Sequence, residues 1–137
     1  MDPKKILIAD DEPDILEFMG KAVIRAGYQV VTARDGDEAW AKIQSENPDV
    51  ILLDINMPQK NGFEVLELLR TNPPSDKWQP VIIVSARNEL EDMQKGLSMD
   101  ADHYITKPCQ LEDVVQAIKL MISLIPNHKS NTELNKE

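Results

Sequence analysis

One short apolar segment constrains the fold of this chain more than any other feature. Residues 50–53 are all apolar, and an acid, Asp54, follows them at once. Such a run is long enough for a strand that is buried on both faces, but too short for a helix. Asn56, Pro58 and then Gly62 favour a turn directly after the acid. Asp54 is therefore predicted to lie at the carboxyl end of a buried strand, the edge where open parallel sheets bind ligands.

Three other short apolar segments also end at polar side chains. Each leads into an acidic, hydroxyl or cationic residue: residues 6–9 into Asp10 and Asp11, residues 81–84 into Ser85, and residues 104–106 into Lys107. If these segments are adjacent parallel strands, three carboxylates, one hydroxyl and one ammonium group meet in a single crevice. The pattern thus predicts a ligand site at one edge of a sheet.

Segments with helical periodicity separate the strands, so strands and helices alternate along the chain. This alternation predicts an α/β fold, with a doubly wound, five-stranded parallel sheet that carries helices on both faces. The remaining elements are a strand over residues 29–33 and helices from Pro13 to before Gly27, around Ala39 and Ile43, over residues 62–70, over residues 89–98, and from residue 110 or 111 to residue 125.

The length and charge of the chain limit its function. The chain has 137 residues, which fits one domain. That domain is predicted to cover residues 1–125, and residues 126–137 are predicted to be a flexible tail or the start of a linker. The net charge of -9 and the absence of a basic patch in the sequence argue against direct binding of nucleic acid or of an anionic membrane. No apolar run has membrane-spanning length, so a cytoplasmic location is expected. The single cysteine, Cys109, excludes an internal disulfide.

Several short motifs occur together in a fixed order. They are the Asp10-Asp11 pair, Asp54 followed by Met57-Pro58 and later Gly62, Ser85-Ala86 after an apolar strand, and Lys107-Pro108 after Tyr104-Ile105-Thr106. In this combination the chain resembles the receiver domain of bacterial two-component response regulators, over about residues 4–125, and is similar to stand-alone chemotaxis-type regulators. The resemblance implies a flavodoxin-like fold with strand order 2-1-3-4-5.

The resemblance also implies a chemistry: magnesium-dependent transfer of a phosphoryl group onto an aspartate. A carboxylate can act as a phosphoryl acceptor, and Mg²⁺ prefers oxygen ligands. The implied roles are Asp54 as acceptor and metal ligand, Asp11 as second carboxylate ligand, the Asn56 backbone carbonyl as third ligand, Asp10 as holder of a metal-bound water, and Lys107 and Ser85 as partners of the phosphoryl oxygens.

The implied partners are a sensor histidine kinase or a phosphotransfer protein, and a downstream protein target. Such a chain catalyses only its own phosphorylation and dephosphorylation and is not otherwise an enzyme. Ser85 and Tyr104 are expected to form the switch that reshapes the face made by the fourth predicted helix, the fifth strand and the last helix. Asn56 and Arg87, which flank the predicted path of a hydrolytic water, are expected to tune the lifetime of the phosphoryl group.

Simpler interpretations of the polar residues stay open at this stage. Asp10 and Asp11 could serve as a helix cap, worth roughly 1 kcal/mol, Ser85 could form a turn, and Lys107 could be a surface lysine. Together these interpretations are weaker, because three carboxylates at one edge repel one another unless a cation joins them.

Two other protein classes share part of this set of residues. A phosphatase of the haloacid dehalogenase type needs an acid two residues after its nucleophile, where this chain has Asn56. A receiver-like module that no longer accepts phosphate is disfavoured, because the acidic, hydroxyl and lysine positions are intact.

The chain departs from the receiver pattern at four positions: Ser85 for the commoner threonine, Asp100 for glycine, His103 for an acid and Cys109 for an aromatic residue. The last two weaken the case for a phosphorylation-dependent homodimer, which stays open.

Overall fold

The structure, a computed structural model, describes residues 4–86 and 101–127. Within these ranges five strands and four helices follow the predicted order. The last helix is called the C-terminal helix below. The elements are β1 (Lys5–Ala9), α1 (Pro13–Arg25), β2 (Gln29–Ala33), α2 (Gly36–Glu46), β3 (Val50–Asp54), α3 (Gly62–Thr71), β4 (Val81–Ala86), β5 (His103–Lys107), the C-terminal helix (Leu111–Leu124) and a short 3₁₀ turn (Ile125–Asn127).

The sheet is parallel throughout and has the order β2-β1-β3-β4-β5. The prediction of a doubly wound, flavodoxin-like sheet with this order is therefore confirmed. The central strand β3 is buried along its whole length, as its unbroken apolar sequence predicts. The helix predicted over residues 89–98, together with Arg87, Asp100 and residues 128–137, lies outside the described residues.

Alternating side chains of the sheet build two separate cores. Ile51 and Leu53 of β3 face α2 and α3, whereas Val50 and Leu52 face α1 and the C-terminal helix. Phe63, near the start of α3, is only 2% exposed and packs in the first of these cores. None of the described helices has the length and apolar character needed to cross a membrane.

Candidate functional site

The strand register brings the predicted polar residues to one edge of the sheet. Leu53 of β3 lies opposite Ala9 of β1, so the next residues along these strands, Asp54 and Asp10, are neighbours. On the other side, Asp54 lies opposite Val84, which directly precedes Ser85. The end of β4 in turn pairs with Lys107, through Ala86. Adjacent parallel strands therefore place these groups together, as their positions at strand ends predict.

A single ammonium group contacts the two buried acids of this edge. The Lys107 Nζ lies 3.0 Å from an Asp10 carboxylate oxygen and 3.4 Å from an Asp54 carboxylate oxygen. Asp10 is 2% exposed and Asp54 is 5% exposed, so water screens these charges weakly. Among the described residues, these two buried carboxylates share one cation, and a cationic ligand would balance the remaining negative charge.

This imbalance changes the acidity of the groups involved. Burial raises the pKa of Asp54 to about 6, and the neighbouring charge of Asp10 adds to the rise, while Lys107 and the Asn56 N–H oppose it. Burial by itself would lower the pKa of Lys107, but the hydrogen bond to Asp10 and the charge of Asp54 outweigh it, so that pKa is raised. Lys107 is therefore cationic at neutral pH, and Asp54 is mostly ionised.

The acids at the end of β1 differ in burial. Asp10 is buried and accepts a hydrogen bond of 2.9 Å from the Glu12 N–H at the start of α1, whereas Asp11 and Glu12 are exposed. One carboxylate oxygen from each of these three residues lies within 4.8 Å of the other two. Glu12 was not among the predicted site residues, although its place directly after the acid pair was a signal for it. Carboxylate oxygens are the donors that Mg²⁺ prefers, so this group fits the predicted ion.

The Ser85 hydroxyl is at the same edge and is fully buried. Its Oγ has no hydrogen-bond partner among the described residues, while the residue is 0% exposed. A buried hydroxyl without a partner carries a desolvation cost of about 1–3 kcal/mol. Such a group fits a site that receives a polar ligand, because an acceptor oxygen placed beside β4 would satisfy it.

The remaining predicted residues differ in burial and in the groups that they contact. The Asn56 N–H donates a hydrogen bond to the Asp54 carboxylate, and the Asn56 side chain is exposed. Tyr104 is half-buried and packs against the core that contains α2 and α3. Cys109 is half-buried against the opposite core, and burial raises the pKa of its thiol. A raised pKa disfavours the nucleophilic thiolate, so Cys109 packs here as a small apolar residue.

An apolar cavity borders the site. It has a volume of about 450 Å³ and is lined by α1, the end of β4 and the start of the C-terminal helix. Phe18, whose side chain is 63% exposed, lies on one wall, and Lys107 and Cys109 lie on another. The cavity therefore gives the site an apolar border next to the Lys107 ammonium group.

The fold and the site can now be compared with known proteins. The family described as the response regulator receiver domain matches residues 6–119. The alkaline phosphatase synthesis transcriptional regulatory protein PhoP of Bacillus subtilis is 38% identical over 119 residues, which are 87% of this chain and 48% of that protein. The probable transcriptional regulatory protein TcrX of Mycobacterium tuberculosis is 35% identical over 120 residues, 88% of this chain and 50% of that protein. The chain spans about half the length of these curated relatives.

Solved structures give the same result. The CheY-like response regulator receiver domain protein of Methanospirillum hungatei JF-1 has a TM-score of 0.83 and 32% identity, and the match covers 91% of this chain and 98% of that chain. The chemotaxis protein CheY4 of Vibrio cholerae has a TM-score of 0.80 and 31% identity, with 87% and 98% covered.

Proposed function

Because the chain belongs to the response regulator receiver domain family, we propose that it works as a phospho-accepting switch of a two-component system. Asp54 takes the phosphoryl group from a phosphohistidine on a sensor histidine kinase or a phosphotransfer protein. The observation that carries this proposal is the contact of Lys107 Nζ with both buried acids, 3.0 Å from Asp10 and 3.4 Å from Asp54. A pair of acids held by one lysine at a strand end combines a nucleophile with a group that neutralises charge.

The transfer uses the Asp54 carboxylate as the nucleophile. One carboxylate oxygen forms a bond to phosphorus, the phosphorus–nitrogen bond to histidine breaks, and the imidazole nitrogen keeps the electron pair and takes a proton. A pKa of about 6 leaves Asp54 mainly in its nucleophilic form at neutral pH. Lys107 then moves its contact from the free carboxylate to a phosphoryl oxygen, so its charge stays compensated throughout the reaction.

A divalent cation completes this charge balance. Asp10, Asp11, Asp54 and the Asn56 carbonyl would hold Mg²⁺, and a carboxylate oxygen of Glu12 lies within 4.8 Å of those of Asp10 and Asp11. When bound, Mg²⁺ supplies positive charge beside the phosphoryl oxygens, which repel a site that carries several acids. The role of Asn56 in the lifetime of the phosphoryl group stays a prediction, as does that of Arg87, which lies outside the described residues.

The buried Ser85 hydroxyl provides the link to the output. The Ser85 Oγ, which has no hydrogen-bond partner within residues 4–86 and 101–127, donates to a phosphoryl oxygen on Asp54. Tyr104, on the neighbouring β5, adjusts its packing in response. The phosphoryl group favours this arrangement only through such differential contacts. The rearranged surface, which includes β5 and the C-terminal helix, then binds the downstream protein target.

The apolar cavity beside Lys107 supports a protein as the phosphodonor. A phosphohistidine must approach Asp54 closely, and the exposed Phe18 and the walls of the cavity offer apolar surface next to the acceptor. We therefore place the donor contact on α1 and the start of the C-terminal helix. The longer relatives are named as transcriptional regulatory proteins, and this chain is not itself proposed to bind DNA.

Phosphorylation by a small donor tests the proposal. We expect acetyl phosphate and Mg²⁺ to add one phosphoryl group to the wild-type chain, measured by intact mass, and Asp54→Asn to abolish the addition. Asp49→Asn is the matched control, because it removes an acid at the opposite edge of the sheet and leaves the predicted acceptor in place. Ser85→Ala should still be modified, but more slowly. Continuous turnover of acetyl phosphate without a protein adduct would instead indicate a hydrolase, and no reaction would indicate a receiver-like binding module.

A further inference from the structure

The turn between β2 and α2 touches the loop that follows the acceptor strand. The Gly36 N–H donates a hydrogen bond of 3.2 Å to the Pro58 carbonyl. A Cβ atom added to Gly36 would overlap the carbonyl oxygen and the Cβ of Lys60, so only glycine allows this approach without a shift of the loop backbone. Gly36 is the first residue of α2, a position that does not call for a left-handed backbone. The close approach to the loop therefore explains the glycine.

An ion pair lies beside this contact. The Lys60 Nζ lies 2.7 Å from a carboxylate oxygen of Asp37, the second residue of α2. The two side chains are 37% and 55% exposed, so the pair is a weak attachment in comparison with the packing of the backbones at Gly36. We refer to Gly36, Asp37, Pro58 and Lys60 together as the loop clamp.

The other end of the loop is fixed to the acceptor residue. The Gly62 N–H donates to the Ile55 carbonyl at 2.9 Å, and a Cβ on Gly62 would lie 2.6 Å from the Asp54 carbonyl oxygen. Between the two attachments, the Asn56 N–H donates to the Asp54 carboxylate. A displacement of the loop at Lys60 is therefore transmitted to the groups that surround the acceptor.

The loop also has a backbone conformation that requires support. Gln59, between the two clamped residues Pro58 and Lys60, has a positive φ of 71°. A residue other than glycine in this region costs on the order of 1 kcal/mol or more, and it persists where neighbouring contacts enforce it. The contact with Gly36 on one side and the attachment of Gly62 on the other supply that constraint.

We propose that Gly36 is a positioning residue for the phosphorylation of Asp54, which it serves by holding the loop at residues 55–61 so that the Asn56 backbone stays against the acceptor carboxylate. The inference rests on the proposed function, since it concerns the rate of that same transfer. It assigns a role in the site to a residue that touches neither the acceptor nor its lysine, and that lies on the far side of the loop.

The test compares two identical substitutions. Gly36→Ala should reduce the initial rate of phosphorylation by acetyl phosphate about 10- to 100-fold, since displacements near 1 Å have effects of this size. Gly20→Ala is the matched control: it also lies in a helix, its added Cβ would meet only the Val30 side chain at 3.8 Å, and its rate should stay within about twofold of wild type. Rates are expressed per folded molecule, from unfolding curves recorded in the same buffer, because a purely structural role would change the folded fraction and not this rate.

A second pair of variants keeps the proposal falsifiable if Gly36→Ala does not fold. Asp37→Asn removes the ion pair to Lys60 and should lower the rate about two- to fivefold, the largest effect expected of an exposed pair. Glu38→Gln removes the neighbouring pair to Lys42 within α2, at 3.1 Å, and should leave the rate unchanged. In the folded Asp37→Asn variant, the amide resonance of Asn56 should also shift in NMR spectra, whereas in Glu38→Gln it should not.

The outcomes separate the two proposals. If the wild-type chain is not modified on Asp54, the proposed function fails, and this inference fails with it. If the wild type is modified and folded Gly36→Ala reacts within twofold of it, the clamp alone is overturned. If Gly36→Ala is unfolded, equal phosphorylation rates for Asp37→Asn and Glu38→Gln overturn the proposed role of the loop clamp. A lower phosphorylation rate in Asp37→Asn alone supports that role.

Discussion

The two edges of the sheet carry the same kinds of charged residue, and they balance those charges differently. At the amino edge, Asp49 accepts a hydrogen bond of 2.7 Å from the Lys5 N–H and pairs with Lys77 at 2.7 Å. At the carboxyl edge, Asp10 and Asp54 must share Lys107. Each of these three acids also accepts a backbone N–H, so the edges differ in their cations. Among the described residues, Asp49 has an ammonium group of its own, whereas the two buried acids at the carboxyl edge share one.

A second pair extends the pattern at the amino edge. Arg70, near the end of α3, lies 2.6 Å from a carboxylate oxygen of Asp102, which also accepts a hydrogen bond of 2.8 Å from the Val81 N–H. Arg70 donates in addition to the Gln79 carbonyl at 3.0 Å. These bonds join α3, the start of β4 and the residue before β5, so the charges at this edge hold elements together.

The acidity of the two edges records this difference. Burial tends to raise the pKa of Asp49, but the Lys5 N–H and the charge of Lys77 outweigh it, and the pKa is lowered. Burial and Asp10 raise the pKa of Asp54 to about 6. The half-buried acids with a cation of their own stabilise this fold, whereas the two buried acids that share one cation mark the proposed phosphorylation site.

The largest expected effect on stability comes from removing the unbalanced acid. A rise of the Asp54 pKa from 3.8 to about 6 corresponds to about 3 kcal/mol of lost stability above pH 6. The charged form is the disfavoured one, so this loss is present above the folded pKa and disappears as the pH falls from 6 towards 3.8. Asp54→Asn should therefore be more stable than wild type at pH 8, by up to about that amount, and the gain should shrink at pH 4.5.

Urea unfolding with chelator present measures this effect, and Asp49→Asn sharpens the comparison. The lowered pKa of Asp49 gives stability that is present above the unfolded pKa and is lost as the pH falls through the folded pKa. Asp49→Asn should therefore be less stable than wild type at pH 8, with the difference shrinking in acid. A gain in stability for both variants would contradict the distinction between the two edges.

The second effect comes from breaking the balanced edge. Arg70→Ala leaves the Asp102 carboxylate, whose side chain is 21% exposed, without its guanidinium partner, and it removes the bond to Gln79. We expect a loss of about 2 kcal/mol in the free energy of unfolding. Lys21→Ala is the control, because its pair with Glu17 is well exposed, and it should change the stability by less than about 0.5 kcal/mol. Equal losses in both variants would remove the bridging role of Arg70.

The third and smallest effect concerns the metal. Mg²⁺ at about ten times its dissociation constant should stabilise the wild type by about 1.4 kcal/mol, seen as a rise in melting temperature. Asp11→Asn should reduce this Mg²⁺-dependent rise and slightly raise the melting temperature without metal, because Asp11 is exposed and its repulsion is screened. Asp14→Asn, in the first turn of α1, should keep the full rise. An unchanged rise in Asp11→Asn would exclude Asp11 as a ligand.

The strands and their polar ends could be predicted from the sequence because the signal is local. The apolar run at residues 50–53 is too short for a helix, and the polar Asp54 that follows it marks the end of the buried strand. Parallel pairing then forces the ends of neighbouring strands to one edge, which is why Asp10, Ser85 and Lys107 were predicted to meet Asp54 there. Helical periodicity does not by itself rank the apolar positions of α3: Leu68 is only half-buried, whereas Phe63 is buried.

The sequence alone was therefore enough to predict the order of the described elements, the class of the fold and most of the polar residues at the carboxyl edge of the sheet. The way in which these residues share their charges depends on the tertiary structure. Lys107 is 97 positions away from Asp10 in the chain, and no local pattern specifies that its ammonium group reaches two acids at once. Burial likewise separates Asp10 from the exposed Asp11, and it leaves Ser85 Oγ without a hydrogen-bond partner among the residues that the structure describes. Desolvation and close packing depend on every element around a residue, whereas periodicity and turn chemistry depend on its sequence neighbours alone.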